Sequence, residues 1–150
     1  MPWTTPANYT PNTIAQSSWM NTYVRDNLLH LYSPPTSQIS SVTAYQTTST
    51  SFVDIDASLE LSITTTGGRL LIVAHFFAPG TTFPAEFQFL IDGAVAVRAN
   101  PTPGSNTVGG EFIYWTDALT AGLHRVRPQW KVPSGTATMS FYRTVVREVS

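Results

Sequence analysis

Three histidines, His30, His75 and His124, are the side chains of this chain best suited to metal binding or proton transfer. They lie far apart, one on a helical segment and two on different strand segments, with none of the i, i+2 or i, i+4 spacings that set two imidazoles on one metal. Asp54 and Asp56 form a D-x-D pattern with Glu60 close by, an oxygen set of the kind calcium takes. No glycine-bearing ligand loop accompanies it, so a solvated strand face is expected. Serine is plentiful, but no G-x-S-x-G elbow presents one as a nucleophile, and there is no cysteine. The pairs Gly67-Gly68 and Gly109-Gly110 read as turns bounding strands and not as phosphate cradles, because neither opens a helix. These readings add up to a protein that is not an enzyme, with no catalytic, cofactor-binding or metal residues.

A sharper pattern lies in "HRVRPQWKV". Arg125, Arg127, Gln129 and Lys131 alternate with Val126, Pro128, Trp130 and Val132, so one strand face is apolar and the other carries three positive charges. The stripe Arg125, Arg127, Lys131 reads as a solubilising strand face or as a contact for an acidic subunit or glycan. Pro128, lacking an N–H, points to an edge strand or a bulge. Arg143 and Arg147 would extend the stripe if the last two strands paired as a hairpin through "PSGT". Tyr114, Trp115 and Tyr142 are aromatics of the type that stack on sugars, and each is as well suited to a core.

The elements that position these residues follow from composition and punctuation. The 150 residues suit one domain, with 42% hydrophobic and 12% aromatic content supplying a core. Only 11% are charged, and Ser and Thr make up roughly a quarter, a polar but neutral surface typical of β-rich chains. A net charge of −1 provides no field for nucleic acid or an acidic membrane. The absence of an apolar run of spanning length, and of a signal-peptide pattern at the start, leads us to expect no membrane partner and synthesis in a cytoplasm without export by that route.

Residues 1–16 read as an extended arm, because Pro2, Pro6 and Pro11 remove donors and bias their predecessors to extended backbone. Trp3 and Tyr9 on that arm need burial elsewhere. Residues 17–33 read as one α-helix capped by Ser17 or Ser18 and stopped at Ser33-Pro34-Pro35, with Met20, Val24, Leu28 and Leu31 along one face. A helix this short needs a partner, the β domain or copies of itself to pack on. Residues 36–150 read as eight or nine strands. "RLLIVAHFF" is a central covered strand, Asp92-Gly93 a hairpin turn, and "ATMSFYRTVVREV" one long last strand. The fold class expected is mainly β: a single jelly-roll-like β-sandwich behind an arm and one short helix.

The segment "WTTPANYTPNT" (Trp3–Thr13) with "NTYVRDNLLHL" (Asn21–Leu31) resembles the N-terminal segment of small virion proteins of tailed bacteriophages. There a W-T-x-P opening and an N-T-x-V-R-D-N-L helix precede a β-rich domain. More loosely, "AGLHRVRPQWKVPSGTATM" is similar to the closing strands of phage jelly rolls, with an A-G-x-H turn and a G-T-A-T hairpin. The last strands also resemble trimeric tumour-necrosis-factor-like and C1q-like jelly rolls, which implies a homotrimer by analogy. The resemblance implies a structural protein on the outer surface of a phage particle, in contact with other virion proteins. Trp3, Tyr9, Trp19, Met20, Val24, Leu28 and Leu31 would anchor it. The short chain, with no shaft between anchor and head, favours a capsid decoration or cement protein. The alternatives are a tail-fibre or tail-tip protein binding a host-surface glycan, and a free carbohydrate-binding module.

Overall fold

The alternation in "HRVRPQWKV" becomes a strand with Val126, Pro128, Trp130 and Val132 buried and the charged residues facing outward. This computed structural model describes Thr5 and residues 16–79, 85–99 and 107–149. The chain divides into two compact units, Met1–Pro35 and Thr36–Ser150.

Among the described residues the second unit has eleven strands: β1 (Thr36–Ser41), β2 (Tyr45–Thr47), β3 (Val53–Asp54), β4 (Leu61–Thr65), β5 (Arg69–Pro79), β6 (Glu86–Ile91), β7 (Ala94–Ala99), β8 (Thr107–Trp115), β9 (Gly122–Lys131), β10 (Ala137–Met139) and β11 (Phe141–Val149). The principal pairings are nested and antiparallel: β1 with β11, β4 with β9, β5 with β8, β6 with β7. Four nested pairs rolled over on themselves give two facing sheets, ordered β1-β11-β5-β8 and β3/β4-β9-β6-β7. This is the jelly-roll arrangement. Between the sheets, Leu70, Ile72, Ala74 and Val146 of the first meet Leu61, Ile63, Phe89, Ile91 and Val126 of the second. A second cluster is built on Trp130, Tyr142, Met139 and the stacked pair Phe76–Phe87, with ring centroids 4.6 Å apart.

Several expectations are corrected here. Eleven strands replace eight or nine, because three are only two or three residues long. "ATMSFYRTVVREV" is two strands, not one. Ala137 and Met139 point inward, but from Tyr142 onward the inward positions are the even ones, so the alternation slips by one residue and the strand breaks at Ser140. β10 then pairs β2, and no hairpin forms through "PSGT". β9 is not an edge strand, since β6 flanks it on one side and β3 and β4 on the other. Pro128 sits where its second neighbour changes from β3 to β4. Its carbonyl accepts from Ile55 N at 3.3 Å on that side, so the absent N–H falls in the same break.

Gly109 and Gly110 lie within β8 and do not bound it. Phe76 pairs directly with Gly110, and a Cβ there would overlap the Phe76 ring. β5 is central as expected, between β11 and β8, but only one of its faces is fully covered: Leu71, Val73 and His75 are half-exposed. Asp92 and Gly93 form the expected hairpin turn, with φ of +51° and +84°.

In the first unit the helix is not uniformly α. Ser17–Trp19 and Asn27–Tyr32 are α-helical, and Met20–Asp26 between them is π-helical. At its end the Asn27 side-chain amide donates to the Tyr23 carbonyl at 3.3 Å, and the Asn27 backbone N–H goes to Val24 O, a tight 3₁₀-type bond that closes the π segment. Ser17 and Ser18 are inside the helix and do not cap it. Gln16 holds the cap position with extended backbone and no side-chain bond, its carbonyl accepting from Trp19 N and Met20 N. The residues the helix covers are Asn27, which is buried, and Trp19, Thr22, Tyr23 and Asp26, which are half-buried.

Candidate functional site

The structure does not gather the chemistry-capable residues. His124, on β9, is buried, with Nδ1 2.6 Å from Asp92 Oδ2 and Nε2 2.8 Å from Thr120 O. Both neighbours are acceptors, so only the doubly protonated ring donates to both. Burial is the largest influence and pulls the His124 pKa down. The bonds to Asp92 and Thr120, with the Asp92 and Glu148 charges, outweigh it and hold the pKa above the ordinary 6.5. Asp92 is held below its ordinary 3.8, chiefly by the Arg125 N–H at 2.8 Å and then by His124. The pair ties the β6–β7 turn to the segment entering β9. His75 is partly exposed, 3.8 Å from Glu111, and the side chain of His30 lies outside the described residues. Among the described residues, no three His, Cys, Asp or Glu side chains are placed to hold a metal.

A pH dependence follows with a definite sign. A raised histidine pKa contributes stability in full below 6.5 and loses it as pH climbs through the folded-state value. A lowered aspartate pKa contributes above 3.8 and is lost as pH falls through its folded-state value. The melting-temperature difference between wild type and His124→Gln should therefore be largest near about pH 5 and shrink toward about pH 9. A difference that widens with pH would contradict an imidazolium at His124.

The D-x-D residues have separate structural tasks. Asp54 accepts from Gln129 Nε2 at 2.7 Å and Arg127 Nη1 at 3.2 Å. Asp56 has left the strand and caps the 3₁₀ turn Ala57–Leu59 through the Ser58 N–H at 2.8 Å, and its pKa is lowered first by the Ser58 side chain and then by that N–H. The basic stripe is neutralised within its own chain. Arg125 pairs with Glu60 at 3.3 Å, Arg127 with Asp54 and with Glu60 at 3.5 Å, and Lys131 with Glu86 at 3.1 Å. Across the same face Arg98 donates to Gln88, and Gln88 to Gln129, continuing a polar chain from β7 to β3. Arg143 and Arg147 do not extend this stripe, because β11 belongs to the other sheet.

Of the aromatics considered for sugar stacking, Tyr142 is buried, Tyr114 packs half-buried against the core, and Trp115 is 52% exposed. The anchoring residues Trp3 and Tyr9, and the arm 1–16 apart from Thr5 and Gln16, lie outside the described residues. Met20, Val24, Leu28 and Leu31 are all exposed in this chain, Leu28 at 46%, and Leu29 and Tyr32 join them. The face covered in the chain is instead the one carrying Trp19, Tyr23 and Asn27. The sequence reading missed Glu148, a carboxylate buried on the inner face of β11, although period-two alternation through Tyr142, Thr144 and Val146 points it inward.

No protein-family model matches the chain, and no curated protein matches it in sequence. Solved structures similar to it include rabbit GITRL, with 13% identity, a TM-score of 0.41, and coverage of 77% of this chain and 94% of that one. Pika GITRL follows at 12% and 0.40, covering 78% and 97%. Dimeric latent PorU from Porphyromonas gingivalis, at 10% and 0.41, covers 99% of this chain and 14% of its own. The jelly-roll assignment stands on this chain's own strand order. Among the described residues, no helix is long and apolar enough to cross a membrane.

Proposed function

We propose that this chain is a non-enzymatic structural protein of a tailed-phage particle, a capsid decoration or cement protein working as a homotrimer. In this reading the N-terminal unit docks on other virion proteins and the jelly roll is displayed. The observation that carries it is the helix, whose Met20, Val24, Leu28, Leu29 and Leu31 are exposed within the Met1–Pro35 unit. An apolar surface this dense on a helix of this length suits a partner's groove better than water. The phage-like W-T-x-P and N-T-x-V-R-D-N-L segment supports the same placement.

The test is to image particles assembled with full-length protein and with a truncation lacking residues 1–16. Hundreds of copies per particle with the full chain, and loss of attachment on truncation, are the expected results. A few copies at one vertex or tail tip would move the protein to a tail-fibre or tail-tip role. Normal incorporation of the truncated chain would remove the anchor. The free carbohydrate-binding alternative rests on Trp115, and specific binding by isolated protein on a glycan array would favour it.

A further inference from the structure

The two outer faces of the jelly roll differ in kind. The face of β3/β4-β9-β6-β7 carries a connected chain of amides and ion pairs, with Val53, Val95 and Leu123 exposed beside it. The face of β1-β11-β5-β8 presents Leu71, Val73, Phe77, Ile113, Trp115 and Val145, with Ile113 57% exposed. Its outer strand β8 is nine residues long and pairs only with β5 among the described strands. A long apolar edge of this kind is an aggregation hazard unless something covers it.

Register shows what fits there. Three rows cross β11, β5 and β8 in turn: Arg143–His75–Glu111, Val145–Val73–Ile113 and Arg147–Leu71–Trp115. The rows run on to Ser40, Gln38 and Thr36 of β1, and in each the β11 residue is complementary to the β8 residue. Arginine stands against glutamate in the first, valine against isoleucine in the second, and a guanidinium against an indole in the third, a cation–π pair. Rotation about an axis parallel to the strands keeps every row level and can bring the β8 residues of one copy onto the β11 residues of the next, with β1 beyond them. The face is therefore complementary to itself in charge as well as in apolar content. Four strands about 4.8 Å apart and up to nine residues at about 3.3 Å give a flat footprint of roughly 500 Å². Side-chain relief raises this toward the roughly 800 Å² per partner of a stable interface.

We infer that the outer face of β1-β11-β5-β8 is the self-association surface of this protein, each copy of the trimer packing on the next by rotation about an axis parallel to the strands, with Arg143 on Glu111, Val145 on Ile113 and Arg147 on Trp115. This rests on the homo-oligomer reading above and specifies its surface.

Light scattering on the full chain after size-exclusion chromatography is the test, comparing wild type with Ile113→Glu, with Val95→Glu as an equally exposed apolar control on the other sheet. Wild type and the control are expected at three times the 16.4 kDa chain mass, and Ile113→Glu at one chain mass with unchanged circular dichroism. A charge exchange avoids dependence on one variant's folding: Arg143→Glu alone should dissociate the assembly at low protein concentration, and Arg143→Glu with Glu111→Arg should restore it. Wild type at one chain mass would overturn the homo-oligomer reading and this surface together. An assembled wild type left intact by both Ile113→Glu and Arg143→Glu would overturn the surface alone.

Discussion

Glu148→Ala is expected to lower the thermal midpoint by about 10 °C, corresponding to roughly 3 kcal/mol. The Glu148 carboxylate is buried and accepts from Thr66 N at 2.8 Å, Thr66 Oγ1 at 3.0 Å and Gly68 N at 2.7 Å. It thereby holds the β4–β5 turn onto the last strand from 80 residues away in sequence. Removing it strands two backbone donors in a partly covered turn and leaves a void behind them, and each stranded donor costs about 1–3 kcal/mol. Partial access of water to that turn keeps the sum near the lower end. Glu148→Gln should fall between the two proteins, because one oxygen still accepts while the new amide faces backbone N–H groups. The control is Glu86→Ala, which removes a surface pairing with Lys131 and should cost no more than about 1 kcal/mol. Equal losses for Glu148→Ala and Glu86→Ala in scanning calorimetry would show that the buried clamp contributes nothing special.

Leu28→Asp is expected to abolish attachment to the particle while leaving the melting of the isolated protein unchanged. Burying a leucine on a partner contributes about 1.5–3 kcal/mol, and a charge at the same place adds a desolvation cost. Leu28 is 46% exposed in its own chain, so the large destabilisation that a packed leucine would show is not expected in the isolated protein. Occupancy counted on imaged particles, set beside calorimetry of the free protein, separates the two effects. Full occupancy with Leu28→Asp would end the docking role of this face. A lowered melting temperature would show that Leu28 is packed within its own chain.

Much of the architecture is legible in the sequence, because strand and turn signals are local. Alternation in "HRVRPQWKV" sets which residues of β9 face the core, and the Asp-Gly pair sets the β6–β7 turn, since both depend only on a residue and its immediate neighbours. The slip of alternation at Ser140, and the inward position of Glu148, were also written there, but their meaning depends on which strands become neighbours. Pairing partners are not local. The sequence alone could not say that β9 and β11 go to different sheets, so it could not separate Arg143 and Arg147 from the Arg125 stripe. Nor could it give that stripe its carboxylates, because Asp54, Glu60 and Glu86 reach Arg127, Arg125 and Lys131 only across paired strands.

The helix shows the same division at smaller scale. A four-residue spacing of Met20, Val24 and Leu28 correctly marks an apolar helical face, but nothing in that spacing distinguishes the π geometry of Met20–Asp26 from an α-helix. Which face is covered then depends on packing, and the covered one carries Trp19, Tyr23 and Asn27. By itself the sequence determined a mainly β chain with an N-terminal helix and no cysteine chemistry, because composition, period and turn chemistry act through nearest neighbours. Tertiary structure alone decided that the basic stripe is neutralised, that His124 is locked between two acceptors, and that the self-complementary rows assemble across β11, β5 and β8. Each of these depends on residues tens of positions apart, brought to hydrogen-bonding or cross-strand distance by a register that no local pattern encodes.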